Sequence, residues 1–187
     1  TVTGVLELPW ATAKPQTIID NIPYPLFFVR LQESYEAPVY TTLSINSNGT
    51  TSEELNSIVT SARKLIGLPY VWGGNYPPLG EDAGTDCSGL CMWAYNDAGL
   101  LDDVGLSGRW TTYTMIEHAT AIDISDARAG DVIFMNFSSP GVPEHVVLVA
   151  SVDGNTVTII EAQQPDTNIL ERTITYDSST MDVRRLL

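Results

Sequence analysis

The stretch "GTDCSGLCMWAY", Gly84–Tyr95, decides how the rest of the chain is read. It places Cys87 directly after Thr-Asp and a second cysteine, Cys91, four residues on, in a segment where Leu90, Cys91, Ala94 and Ala98 recur on one helical face. The spacing predicts a helix running to about Gly99 with Cys87 in its first turn. There, unpaired backbone N–H groups and the positive end of the helix dipole favour a thiolate, which makes Cys87 a candidate nucleophile. Cys91, one turn deeper, reads as a small buried side chain. Asp86, Ser88 and Gly89 around Cys87 argue against burial of that thiol. Two cysteines on one helix have poor geometry for a bridge, so two free thiols are expected. A zinc site from Cys87, Cys91, His118 and His145 lacks the ligand spacing such sites use.

Upstream, Thr51 and Glu54 have capping-box spacing, and Leu55, Ile58, Val59, Ala62, Leu65 and Ile66 then recur at helical spacing before Gly67 and Pro69. Residues 1–50 carry five prolines and read as a small β-rich extension or linker, with "LFFVRL" and "VYTTLSI" as possible strands and a boundary near residue 50. Downstream of the cysteines, "GDVIFMNF", "EHVVLVASV" and "TVTIIEAQ" are rich in β-branched residues and read as neighbouring antiparallel strands. Helices first and strands afterwards give an α+β class, with a domain over residues 51–187.

A thiolate needs a base, and the chain has two histidines. His118, in "YTMIEHATAI", reads as a surface or capping residue. His145 opens "HVVLVAS" after a loop, so its side chain is expected at a strand end. A hairpin with a three-residue loop and Gly154 in the left-handed position sets His145 opposite Glu161, which then orients the imidazole. A loop shifted one step sets His145 opposite Gln163 with Glu161 still on the same face, whereas a two-residue Asp-Gly turn separates the two faces. The loop length is thus the commitment on which the third residue depends.

Composition narrows the partners. With 187 residues the chain can bury one good core, and its net charge of −14 argues against DNA, RNA and anionic membranes, which need a basic surface. No apolar run is long enough to cross a bilayer, no signal-peptide pattern opens the chain, and no Met precedes Thr1, so the sequence reads as a processed product or part of a longer one.

"GLPYVWGG", "DCSGLCMWAY", "RAGDVIFM", "EHVVLVAS" and "TIIEA", in that order over about residues 52–165, resemble the NlpC-type cell-wall cysteine peptidases, a papain-like family also named for a sixty-kilodalton listerial protein. The resemblance implies a papain-like α+β fold with the nucleophile helix packed on an antiparallel sheet. It also implies hydrolysis of bacterial peptidoglycan stem peptides, usually between D-γ-glutamate and the diamino acid, without a metal or organic cofactor. By motif position Cys87 is the nucleophile, His145 the general base and Glu161 the third polar residue. Tyr70 and Trp72 of "PYVWGG", together with Asp86 and Ser88, fall at positions beside the nucleophile and the peptide pocket, and "GRWTTYT" loosely matches a stretch bordering the cleft. The family more often has His at the third position, so Glu161 brings a full negative charge that favours an imidazolium. Glu81 and Asp82 read as a solvated loop. The alternatives are an amidase cutting after muramic acid, a cross-bridge peptidase, and a wall-binding or tail-tip module without turnover. In each case the expected place is extracellular, at the cell wall or on a phage virion, within a longer chain or assembly.

Overall fold

The computed structural model describes residues 50–74 and 77–187. The β-rich extension expected over residues 1–50 lies, but for Thr50, outside the described residues, and so do its two possible strands.

The capping box starts the first helix, α1 (Ser52–Arg63): Thr51 Oγ1 accepts the Glu54 N–H at 3.2 Å while the Glu54 carboxylate accepts the Thr51 N–H at 2.7 Å. Leu55, Ile58, Val59 and Ala62 form its buried stripe. The helix ends before Gly67, so Leu65 is buried from the following turn while Ile66, expected on the same face, is 42% exposed. The second helix, α2 (Cys87–Asp97), is capped by Asp86 and followed by Gly99 at φ +77°, which lets the chain reverse. Two helices were not visible in the sequence: α3 (Leu101–Val104) and α4 (Thr112–His118), each too short to show a period. A second capping box, Thr111 with Thr114, begins α4.

Among the described residues the strands are β1 (Thr120–Ala121), β2 (Val132–Ser139), β3 (Val142–Asp153), β4 (Thr156–Glu161), β5 (Leu170–Thr175) and β6 (Asp182–Arg185). They form one antiparallel sheet in the order β1-β6-β2-β3-β4-β5. The three strands expected from the sequence are its centre; β1, β5 and β6 were not foreseen.

Strand alternation divides the sheet's apolar residues into two sets. Val132 and Phe134 of β2, Val146 and Leu148 of β3 and Ile160 of β4 pack with the buried faces of α1 and α2. Ile133, Val147, Val149, Val157, Ile159 and Val183 form a second cluster on the other side. Each such fully buried aliphatic side chain contributes about 1.5–3 kcal/mol relative to exposure. Polar ties fix the helices to the sheet. Tyr95 of α2 stacks at a tilt on Trp110, ring centroids 5.4 Å apart, and donates its hydroxyl to the Gly130 carbonyl at 2.6 Å. Asp131 is buried at the head of β2, where Arg185 of β6 donates to it twice at 2.9 Å and the Arg128 N–H once. The "RAGD" segment is therefore a structural corner.

Candidate active site

Asp86, Cys87, Ser88 and Gly89 are arranged by the start of α2. The Asp86 carboxylate accepts the Gly89 N–H at 2.8 Å, the Ser88 hydroxyl at 3.1 Å and, through its other oxygen, the Gly73 N–H at 2.9 Å. Gly89 has no room for a side chain: a Cβ there would stand 2.1 Å from Thr85 Oγ1. These two requirements account for the Asp and the Gly that bracket Cys87. The N–H groups of Cys87 and Ser88, in the first turn, have no partner within the helix and point to where an anion would sit.

Arg109 closes this arrangement. Its guanidinium donates to Asp86 at 2.8 Å and to the Gly74 carbonyl at 3.1 Å, so one side chain ties the 72–74 loop to the cap of α2. The result is a cleft of about 540 Å³ lined by Cys87, Asp86, Ser88, Trp72, Arg109, Tyr113 and Glu144, among others. Cys87 is 7% exposed, against the expectation that its polar neighbours would keep it open: it joins the buried core cluster while also lining the cleft. Cys91 is fully buried and, as expected, neither thiol is bridged. Burial, with the charges of Cys87 and Asp86, holds the Cys91 pKa well above that of a free thiol.

His145 and Glu161 meet by a route different from the one expected. The β3–β4 turn has two residues, Gly154 and Asn155, with Asp153 opposite Thr156 and Ser151 opposite Thr158. Carried inward unchanged, that even-length turn would put His145 and Glu161 on opposite faces. A bulge at Ala150 corrects the parity: beyond it Val149 faces Ile159 and Leu148 faces Ile160, so both side chains share a face, diagonal and not directly opposite. Gly154 does take the left-handed conformation, at φ +59°. Nor does His145 open its strand: β3 starts at Val142, and His145 sits opposite Met135 within the ladder.

His145 Nε2 lies 2.9 Å from the Glu161 carboxylate, and Cys87 is close enough to the imidazole to raise its pKa. Glu161 is 1% exposed and accepts a second bond, at 2.5 Å, from Arg172 Nε on β5. Arg172 pairs with Ile159, two residues before Glu161, which places it on the same face. Burial opposes charge on His145, but the interactions with Cys87 and Glu161 outweigh it and push its pKa up to about 9. Burial likewise opposes charge on Glu161, and the bonds from His145 and Arg172 hold its pKa below the usual carboxylate value. Tyr70 is close by; burial and the charges of Cys87 and Asp86 push its phenol up to about 12, so it stays a protonated donor. His118 stands apart, bonded through Nε2 to the Val104 carbonyl at the end of α3 at 2.6 Å.

The sequence reading missed Arg172, which has no motif around it, and saw Arg109 only as part of "GRWTTYT". A free thiol at a helix N-terminus, an imidazole near it and a buried carboxylate bonded to that imidazole thus lie together on an α+β scaffold.

Residues 67–183 match the NlpC/P60 family, and the chain belongs to it. It is 31% identical over 99 residues to the probable endopeptidase p60 of Listeria grayi, covering 53% of this chain and 17% of that protein. It is 32% identical over 108 residues to the probable endopeptidase YafL of Escherichia coli K12, covering 56% and 41%. The chain thus spans less than half the length of these relatives. Among solved structures, RipD of Mycobacterium tuberculosis, described as a non-catalytic NlpC/p60 domain protein adapted to peptidoglycan binding, superimposes with a TM-score of 0.51 at 21% identity over 72% of this chain and 98% of that one. That likeness bears on the fold alone.

Proposed function

We propose that this domain is a cysteine endopeptidase of bacterial peptidoglycan that cleaves stem peptides at the D-γ-glutamyl–diamino acid bond. The observation that carries the reading is the meeting of Cys87, at the head of α2 in a cleft, with His145, whose imidazole is bonded to the buried Glu161. Family membership and relatives described as probable endopeptidases support it. A binding module without turnover has no need of a nucleophile, a base and an orienting carboxylate held together.

In the mechanism, the Cys87 sulfur attacks the amide carbonyl carbon and forms a C–S bond. The first-turn N–H groups of α2 stabilise the oxyanion. As the C–N bond breaks, the imidazolium of His145 gives its proton to the leaving amine. Water, deprotonated by His145, then attacks the thioester carbonyl, and Cys87 is released with the acid product. Glu161, held by Arg172, keeps the imidazole oriented and favours its cationic form. Such a substrate places the action of the protein outside the cytoplasm, at a cell wall or on a virion.

The test is mass spectrometry of soluble fragments released from purified diaminopimelate-type peptidoglycan by this protein and by Cys87→Ala. Fragments ending in D-glutamate, absent with the variant, are the expected result. Cleavage after muramic acid would instead mark an amidase, and no release from several wall types would leave a binding module.

A further inference from the structure

The cleft beside Cys87 is lined by three charged side chains, and two of them neutralise each other: Arg109 and Asp86 are paired at 2.8 Å. The third, Glu144, is exposed and has no hydrogen-bond or ion-pair partner among the described residues. Glu81 and Asp82, the acidic loop residues, do not line the cleft. Its unbalanced charge is therefore a single carboxylate, next in the chain to His145.

The chemistry of a stem peptide decides which part of it suits that carboxylate. Its carboxylates are repelled by Glu144, and the side-chain amine of the diamino acid is the one cationic group it offers. Resting on the endopeptidase reading above, we infer that Glu144 selects a substrate whose leaving residue carries a free ammonium group on its side chain, namely a stem peptide whose diamino acid has not been crosslinked. Crosslinking acylates that amine and removes its charge. Trp72, 82% exposed, and Tyr113, 53% exposed, also line the cleft and offer uncharged ring faces to an ammonium or its alkyl stem.

The experiment compares kcat/KM for two synthetic peptides, N-acetyl-L-Ala-γ-D-Glu-L-Lys with the lysine side chain free and the same peptide with that amine acetylated. The unmutated protein is expected to prefer the free amine by about fivefold, the scale of one solvent-accessible charge pair. The preference should fall to about one in Glu144→Gln, invert in Glu144→Lys and persist in Glu144→Asp. Discrimination by the bulk of the acetyl group alone would survive in Glu144→Gln, so an unchanged ratio in both Gln and Lys variants overturns the inference. Equal rates on the two peptides with the unmutated protein overturn it as well, while leaving the endopeptidase reading intact. Cleavage of neither peptide, with nothing released from peptidoglycan, overturns both.

Discussion

Replacing Glu161 by Gln probes the site through its proton balance. The fold raises the His145 pKa from 6.5 to about 9. At about 1.4 kcal/mol per unit this corresponds to about 3 kcal/mol of stability. Because the folded value lies above the unfolded one, the contribution is complete below about pH 6.5 and is lost as pH rises through about 9. Burial works against the imidazolium, and the upward pull comes from two partners, Cys87 and Glu161. Removing the Glu161 charge takes away one of these pulls while burial still opposes the imidazolium, so the pH-dependent part should shrink markedly. The variant should also be less stable at every pH, since a neutral amide would sit between His145 and Arg172 in a pocket that is 1% exposed. Arg172 is half open to solvent, so that penalty is expected near about 2 kcal/mol, below the range for a fully buried broken pair. The assay is urea unfolding of both proteins at intervals from pH 6 to 9.5. If the two stability curves run parallel across that range, Glu161 does not set the imidazole's proton affinity and the reasoning fails.

Cys87→Ala should retain the fold while losing all fragment release, measured by circular dichroism beside the mass spectra. Gly89→Ala should cost about 2 kcal/mol or more in urea unfolding, because its Cβ has no space beside the buried Thr85 hydroxyl 2.1 Å away. Thr51→Ala should cost about 1 kcal/mol, the value of an N-cap, with no change in kcat/KM. Arg185→Met leaves Asp131 buried with one backbone donor, and a loss of about 3 kcal/mol is expected, read from the thermal midpoint.

What the sequence made legible was local. The capping box at Thr51, the start of α2 and the three central strands each write their signal within a few neighbouring residues. Cys87 and His145 could be named as candidates because a thiol at a helix start and an imidazole near a loop have recognisable surroundings. Arg172 could not, since its role exists only once β5 lies against β4. The same holds for Arg109, whose partners are 23 and 35 residues away. The burial of Cys87 was misjudged for a related reason: the side chains next to it in the chain are polar, but it packs into a core cluster built from distant parts of the sequence. The hairpin shows the limit most plainly. The expected odd turn would have set His145 opposite Glu161, and the structure brings the two to one face, diagonally, with an even turn and one bulged alanine.

That bulge gives the hairpin one residue of slack. His145 and Glu161 are 16 positions apart here. If Ala150 were deleted, Val149 would be joined directly to Ser151, and the pairs Val149–Ile159 and Ser151–Thr158 would become consecutive rungs of an uninterrupted ladder. Both the turn and the His-Glu contact would survive, at the loss of one small side chain from the core. Deleting any other single residue between Val146 and Asp153 would turn the residues between it and the bulge to the opposite face. A one-residue deletion at Ala150 therefore changes the strand geometry and leaves the His145–Glu161 contact in place.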